Sequence, residues 1–445
     1  MTEERAATVD FKRVEDAVLA PMLRPTKLYI AFVAVNAVFL LIGVLCFAQQ
    51  LRIAIGVAGI THPVNWGVYI TNFVFWVGLA HSGTLISAIL FLFRAKWRTS
   101  INRIAEAMTV IAIMTAGLFP LIHLGRVWLV YYLLPYPNYR NLWPNFRSPL
   151  LWDVFAITTY MLVSIMFFYV GLLPDLATVR DRSKGLKKLA YGILSMGWRG
   201  GHRQWRHLEM AYLLLAALAT PLVISVHSVV SWDFAVSVIP GWHSTIFAPY
   251  FVAGAIFSGC AMIVVVLLPL RSFFHLQSLI APRHFAMLAK MILFMSLIIS
   301  YSYFAEFFVA WYTGNVFEKS SFYNRAFGMP YAPLFWLMVF CNSLLPLTLF
   351  SARLRARLGY VYFVSVAVLI GMWVERFVII VTSLAHDFDP YAWGTYTPTI
   401  IEAGITLGSF GMFFLMYAGF AKLLPVVAMG ELKADILHGE TLGEE

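Results

Sequence analysis

The sequence reads as an all-α polytopic membrane protein. Of its 445 residues, 61% are apolar and only 12% are charged, about half the roughly 25% charge of a soluble domain. The apolar residues gather into ten stretches, each long enough to cross a hydrocarbon core of roughly 30 Å. The 32 Lys and Arg residues collect in alternate connections, as the positive-inside rule requires of a multi-pass chain. This composition excludes a soluble enzyme, a disordered chain and a secreted disulfide scaffold. It also makes the formal net charge of +10 a statement about topology rather than about nucleic acid.

The spans are expected at 28–49, 66–93, 104–131, 150–173, 208–231, 244–269, 284–313, 331–352, 360–384 and 397–425. Lipid-facing stretches of this length must be helices, because their backbone groups have no other partners. Spans two, three, seven and ten exceed the bilayer and should tilt or overshoot it. With both termini cytoplasmic, the inner segments hold 25 of the Lys and Arg residues. The outer loops hold five: Arg52, Arg140, Arg147, Lys319 and Arg325. Residues 1–27 form a cytoplasmic N-terminal segment, 28–425 a single integral membrane domain, and 426–445 a cytoplasmic tail. The polar N-terminus has no early apolar run, so no cleaved signal peptide is expected. The basic connection 174–206 should be a solvated loop against lipid headgroups. Trp66, Trp128, Trp143, Trp152, Trp232, Trp242 and Trp311 fall at the expected interfaces as an aromatic belt.

A weak internal repeat divides the domain. FWVGLAHSGTLI from Phe75 matches FVAGAIFSGCAM from Phe251, with Gly78, Ser82 and Gly83 in register with Gly254, Ser258 and Gly259. RVWLVYY from Arg126 parallels EFFVAWY from Glu306. VISVHSVVSWDF in span five parallels VIIVTSLAHDF in span nine. Small residues at this spacing let helices approach closely. The repeat implies two four-helix bundles, spans 2–5 (66–231) and 6–9 (244–384), flanked by spans one and ten.

Ionisable groups inside spans are costly, and so are candidates for function. His123 and Arg126 lie three residues apart on one expected helix face in the outer part of span three. Asp153 starts span four. His227 and Asp233 lie toward the outer end of span five, so these five groups should cluster beneath one membrane face. Acid and imidazole groups there suit a quinol, which needs partners for two phenolic oxygens and acceptors for two protons. A second set, His81, Glu306, Glu375, Arg376 and Glu402, suggests a proton path. Glu375 and Arg376 are adjacent, so their side chains should diverge by about 100° rather than pair. Cys46, Cys260 and Cys341 are isolated within apolar stretches, and no span holds two His. Haem, an iron–sulfur cluster and a metal are therefore not expected in this chain.

Four stretches carry a resemblance: GVYITNFVFWVGLAHSGTLISAIL (67–90), GLFPLIHLGRVW (117–128), SPLLWDVFAITTYM (148–161) and VHSVVSWDFAVSVIPGWHSTIFAPYFVAGAIFSG (226–259). The chain resembles the NrfD/polysulfide-reductase membrane-subunit family. Within it, the chain is most similar to the quinol-binding ActC-type subunit of bacterial alternative complex III. That resemblance implies a multi-pass subunit of the bacterial cytoplasmic membrane that oxidises menaquinol or ubiquinol and carries no redox centre. Electrons would pass to a periplasmic iron–sulfur subunit and c-type cytochromes, beside a paralogous membrane subunit and a terminal oxidase. The family's quinol-site His and Asp fall on His123 and Asp153, and a further acid–imidazole pair on His227 and Asp233. A polysulfide- or nitrite-reductase-type quinone-reactive anchor is the nearest alternative. A secondary transporter, with matching Gly/Pro-broken helices in both halves, and a passive anchor are the others.

Overall fold

The computed structural model describes residues 15–16, 18–19, 22, 26–134, 146, 148–277 and 279–437. Most of the N-terminal segment, the tail beyond 437, and Arg140, Trp143 and Arg147 lie outside the described residues. Ten helices are long and apolar enough to cross a membrane. They are α1 Lys27–Ile53, α2 Val68–Leu92, α3 Asn102–His123, α4 Pro149–Arg182, α5 His202–Ala235, α6 Phe247–Phe273, α7 Pro282–Thr313, α8 Ala332–Phe350, α9 Leu358–Ala385 and α10 Ile400–Leu423. Among the described residues there is no strand. Every expected span is present, and the differences lie at their ends. Asp153 and Asp175 mark the two ends of α4, roughly 33 Å apart along the helix axis, and label the two membrane faces below.

Two ends differ for physical reasons. Span three stops at His123 instead of running to 131. Gly117 interrupts it three residues before Pro120, whose ring nitrogen cannot continue the hydrogen-bond ladder. Gly125 then turns the chain away at φ +68°, and Val127–Leu133 forms a short 3-10 helix. The connection 174–206 is not an open loop. α4 continues through Arg182, a separate helix spans Gly185–Leu194, and α5 begins at His202. A helix satisfies its own backbone in water as well as in lipid, and the Lys, Arg, Leu and Ala residues here favour it.

α2, α6 and α9 are the most enclosed spans, and α1 is the least. A Cβ on Gly259 of α6 would fall on the Ser82 side chain of α2, so these two helices approach as closely as backbones allow. The repeated glycines do crossed jobs. Gly259 faces the opposite bundle at Ser82 and Gly78 lies between His227 of its own bundle and Ala255 of the other, whereas Gly83 faces α3 and Gly254 faces Arg376 of α9. The Arg126–Glu306 correspondence does not survive, because Arg126 lies beyond the end of α3 and Glu306 lies inside α7. At the periphery, α1 rests on α10 through Gly43 against Gly408 and Cys46 against Gly404. Trp128 and Trp311 are exposed, as a belt requires. Trp242 is core instead, donating to the Ile379 carbonyl at 2.8 Å, tilted against Trp66 and edge-on to Phe234.

Candidate functional site

Pro149 opens α4 at its first helical position, where its missing N–H costs nothing. Asp153 therefore comes one turn in, and it is buried. Asp233 sits in the last turn of α5 and is half-buried. The two carboxyls lie against each other between α4 and α5, and among the described residues the Oδ1 atom of each is enclosed without a hydrogen-bond partner. The neighbouring Trp152 and Trp232 meet edge to face at 6.0 Å and fix the register of the two helices. Such a contact is attractive when one proton is held between the carboxyl groups.

The other members of the expected cluster separate. His123 ends α3 half-buried, its Nδ1 enclosed without a partner. Among the described residues no hydrogen bond or ion pair joins it to either carboxyl. Arg126 is exposed, because the Gly125 turn ends the helical face it would have shared with His123. His227 does not pair with Asp233. Six helical residues turn the side chain by about 240° and move it roughly 9 Å deeper.

His227 instead faces His81. Both are fully buried, with ring centroids 4.9 Å apart. His81 Nδ1 lies 2.7 Å from the Val77 carbonyl, which accepts only, so Nδ1 carries the proton. Among the described residues its Nε2 and both His227 nitrogens have no hydrogen-bond partner. The other face of the His81 ring stacks on Tyr160 at 4.4 Å. Beyond His227, the Arg376 guanidinium lies 4.2 Å over the Phe251 ring.

Contrary to the divergence expected of adjacent residues, Glu375 and Arg376 do meet. Oε1 and Nη1 are 2.9 Å apart, although that contact lacks hydrogen-bond alignment. Both side chains are long enough to swing together when nothing else nearby neutralises them. Glu375 Oε2 also accepts from Tyr303 and, at 3.3 Å, from Asn342. Asn342 reaches it from a π-helical turn, Phe340–Leu344, in α8. Such bulges are frequent at functional positions. Glu306 is buried one turn from Tyr303, with Oε1 unpartnered.

Glu402 stands apart from that set. It caps α10, accepting from the Gly59 and Thr399 backbone N–H groups at 2.9 Å and from Tyr396 at 2.5 Å. Sequence reasoning also missed several buried groups. Arg325, expected in an outer loop, is buried, and so is Arg103 in the first turn of α3. Arg103 binds Asp175 at 3.0 Å and Glu106 at 2.9 Å. Arg325 donates to Ser383 at 2.9 Å and to the Gly241 carbonyl at 3.2 Å. The i, i+3 spacing of Arg103 and Glu106 was the available signal. Among the described residues no group of three or more His, Cys, Asp or Glu side chains gathers to hold a metal ion.

The sequence model of the family described as "Polysulphide reductase, NrfD" matches residues 56–386. The chain belongs to the NrfD family. That match covers α2 through α9, including both the carboxyl pair and the imidazole pair. Similar proteins include a putative dimethyl sulfoxide reductase membrane subunit of Halobacterium salinarum, 26% identical across 89% of this chain and 91% of that one. A selenate reductase subunit of Mesobacillus selenatarsenatis is 24% identical across 90% of this chain and 94% of its own. An Hdr-like menaquinol oxidoreductase integral membrane subunit of Archaeoglobus fulgidus is 20% identical across 94% and 97%.

Proposed function

We propose that this NrfD-family chain is the quinol-oxidising membrane subunit of a respiratory oxidoreductase complex. One observation carries the reading: the Asp153–Asp233 carboxyl pair, enclosed at one membrane face between α4 and α5. Oxidising a quinol releases two electrons and two protons. A carboxyl pair holding one shared proton can accept another from a phenolic hydroxyl, and its place near the surface gives that proton a short way out. His123, with its unpartnered Nδ1 at the same end, is the partner for the second phenolic oxygen. The relative named as a menaquinol oxidoreductase subunit supports a quinol as substrate.

The three cysteines are scattered and apolar in setting, so electrons leave to a partner rather than to a cluster held here. We place an iron–sulfur subunit on the Asp153 face. The Lys and Arg distribution orients that face to the periplasm of a bacterial cytoplasmic membrane. The alternative complex III assembly adds c-type cytochromes, a paralogous subunit and a terminal oxidase. The relatives named as reductase subunits favour a reductase-type assembly with the same site, and copurified partners distinguish the two. His81, His227, Arg376, Glu375 and Glu306 form the interior proton track of this reading.

A transporter built on the repeat would need matched breaks in both halves. α3 is interrupted at Gly117, but its counterpart α7 runs unbroken from Pro282 to Thr313. The test is Asp153→Asn and Asp233→Asn in the assembled complex. Quinol-dependent reduction of the electron acceptor should fall by roughly 100-fold or more, the scale of a lost general base. Ordinary turnover in both variants overturns the assignment.

A further inference from the structure

The Asp153 face carries the quinol reading, and the Asp175 face carries a groove that the reading does not use. This groove, about 380 Å³, runs between α1, α6 and α10. Tyr29, Phe32 and Phe39 of α1 line it, with Val265 and Phe273 of α6 and Phe414 of α10. Tyr29 and Phe39 stand ten residues apart on one helix, roughly 15 Å of rise. That is the depth of one leaflet in a hydrocarbon core of roughly 30 Å. Polar atoms along the groove are turned onto backbone carbonyls. The Tyr29 hydroxyl donates to Ala418 at 3.0 Å, the Tyr417 hydroxyl to Ile104 at 2.8 Å and the Asn36 amide to Phe32 at 2.8 Å. These side chains therefore present mainly hydrocarbon to the groove.

The groove ends at a cation. Lys422, in the last turn of α10, holds its Nζ 4.7 Å over the Tyr29 ring and 5.4 Å over the Phe274 ring, and both rings line the groove. Lys422 also lies on the wall of a second cavity, about 460 Å³, together with Arg182, Lys187 and Asp16. Arg182 is bound by Glu15 and, at 2.7 Å, by Asp16, while Lys433 is bound by the same Glu15. Among the described residues, Arg182, Lys187, Lys422 and Lys433 thus meet only Glu15 and Asp16 here, and the balance is positive.

The helix Gly185–Leu194 sets the depth of this cavity. Leu186, Leu189 and Ile193 project from one of its faces, 85%, 61% and 69% exposed. Tyr191, on its other side, donates to the Leu423 carbonyl at 2.7 Å and ties the helix to the end of α10. Apolar side chains so presented belong among acyl chains, which puts the neighbouring Lys187 at the level of lipid phosphates.

We propose that the groove and the basic cavity together bind one anionic phospholipid from the leaflet on the Asp175 face. An acyl chain lies along α1, α6 and α10, and the phosphate sits between Lys422 and Lys187. A zwitterionic lipid would bring its own cation against the lysines, so the charge selects an anionic headgroup. The lipid packs α1 against the bundle below the Gly43–Gly408 seam, where helix no longer meets helix directly.

The experiment uses the purified complex containing this chain, stripped of lipid in detergent. It is resupplied with phosphatidylglycerol or with phosphatidylcholine of the same acyl chains, and bound lipids are counted by native mass spectrometry. The native complex should hold at least one phosphatidylglycerol more than phosphatidylcholine. Lys187→Gln combined with Lys422→Gln should remove one bound phosphatidylglycerol. Val265→Phe, which fills the groove without altering a charge, should remove one as well. Quinol turnover should continue in both variants, because Asp153 and Asp233 lie at the other face. A phosphatidylglycerol count unchanged in either variant overturns the site. Should the variants not assemble, the native complex decides: a preference for phosphatidylglycerol of about 10-fold or more supports the site, and a smaller one or equal retention of the two lipids overturns it.

Discussion

His81 of α2 and His227 of α5 meet in the fully buried interior, 4.9 Å between ring centroids, and among the described residues His227 has no hydrogen-bond partner at either nitrogen. An unsatisfied buried polar atom costs on the order of 1–3 kcal/mol. His227→Phe should therefore leave thermal stability of the purified protein unchanged or raised. Proton-coupled turnover should drop by about 10-fold or more if the imidazole relays protons. A less stable protein with normal turnover would make His227 a packing residue only.

The closest helix approach is equally open to test. Gly259→Ala places a methyl on the Ser82 side chain. Overpacking of this kind costs about 1–3 kcal/mol. The expected outcome is a lower unfolding temperature, recovered by adding Ser82→Gly. Failure of the second change to restore stability would show that the strain lies elsewhere.

Glu402 provides a contrast with the interior acids. Its carboxylate is spent on Gly59, Thr399 and Tyr396, so Glu402→Gln should cost about 1–3 kcal/mol of stability. Quinol turnover per folded molecule should be unchanged. Lost turnover with intact stability would return Glu402 to the proton track.

A pH dependence follows from Glu318, in the helix Val316–Phe327 between α7 and α8. Burial raises its pKa above the ordinary 4.5, against the opposing pull of the Gly241 N–H that it accepts at 2.9 Å. The folded state therefore binds the proton more readily than the unfolded state. Glu318 contributes stability that is fully present below pH 4.5 and is lost as the pH rises through the raised folded value. Glu318→Gln should flatten that slope in thermal unfolding followed from about pH 4 to 7. An unchanged slope assigns it to another group.

The ten crossings were legible because length and apolarity alone decide what can span a bilayer. Their ends were not, since a helix does not stop where hydrocarbon does, and α4 and α5 both run past it. Asp153 and Asp233 were legible as ionisable groups in spans at one face. That they touch depends on the relative rotation of α4 and α5, which the sequence does not encode locally. His227 was assigned to the wrong neighbour for the same reason. Its position on the helix was clear, but not which helix it faced. Arg103 and Arg325 were hidden by their place near span ends, where a cation ordinarily reaches water.

The glycine seam between α1 and α10 has a consequence for biogenesis. Of these ten crossings, α1 leaves the ribosome before the other nine and α10 after them. The earliest helix must wait in lipid until translation of the final one supplies the surface that receives it. Truncation before residue 400 would strip α1 of the Gly404 and Gly408 seam and leave it held by Gln50 on Tyr69 and by Phe32 on Phe273, while the eight helices between keep their own contacts, so the packing of α1 waits on α10.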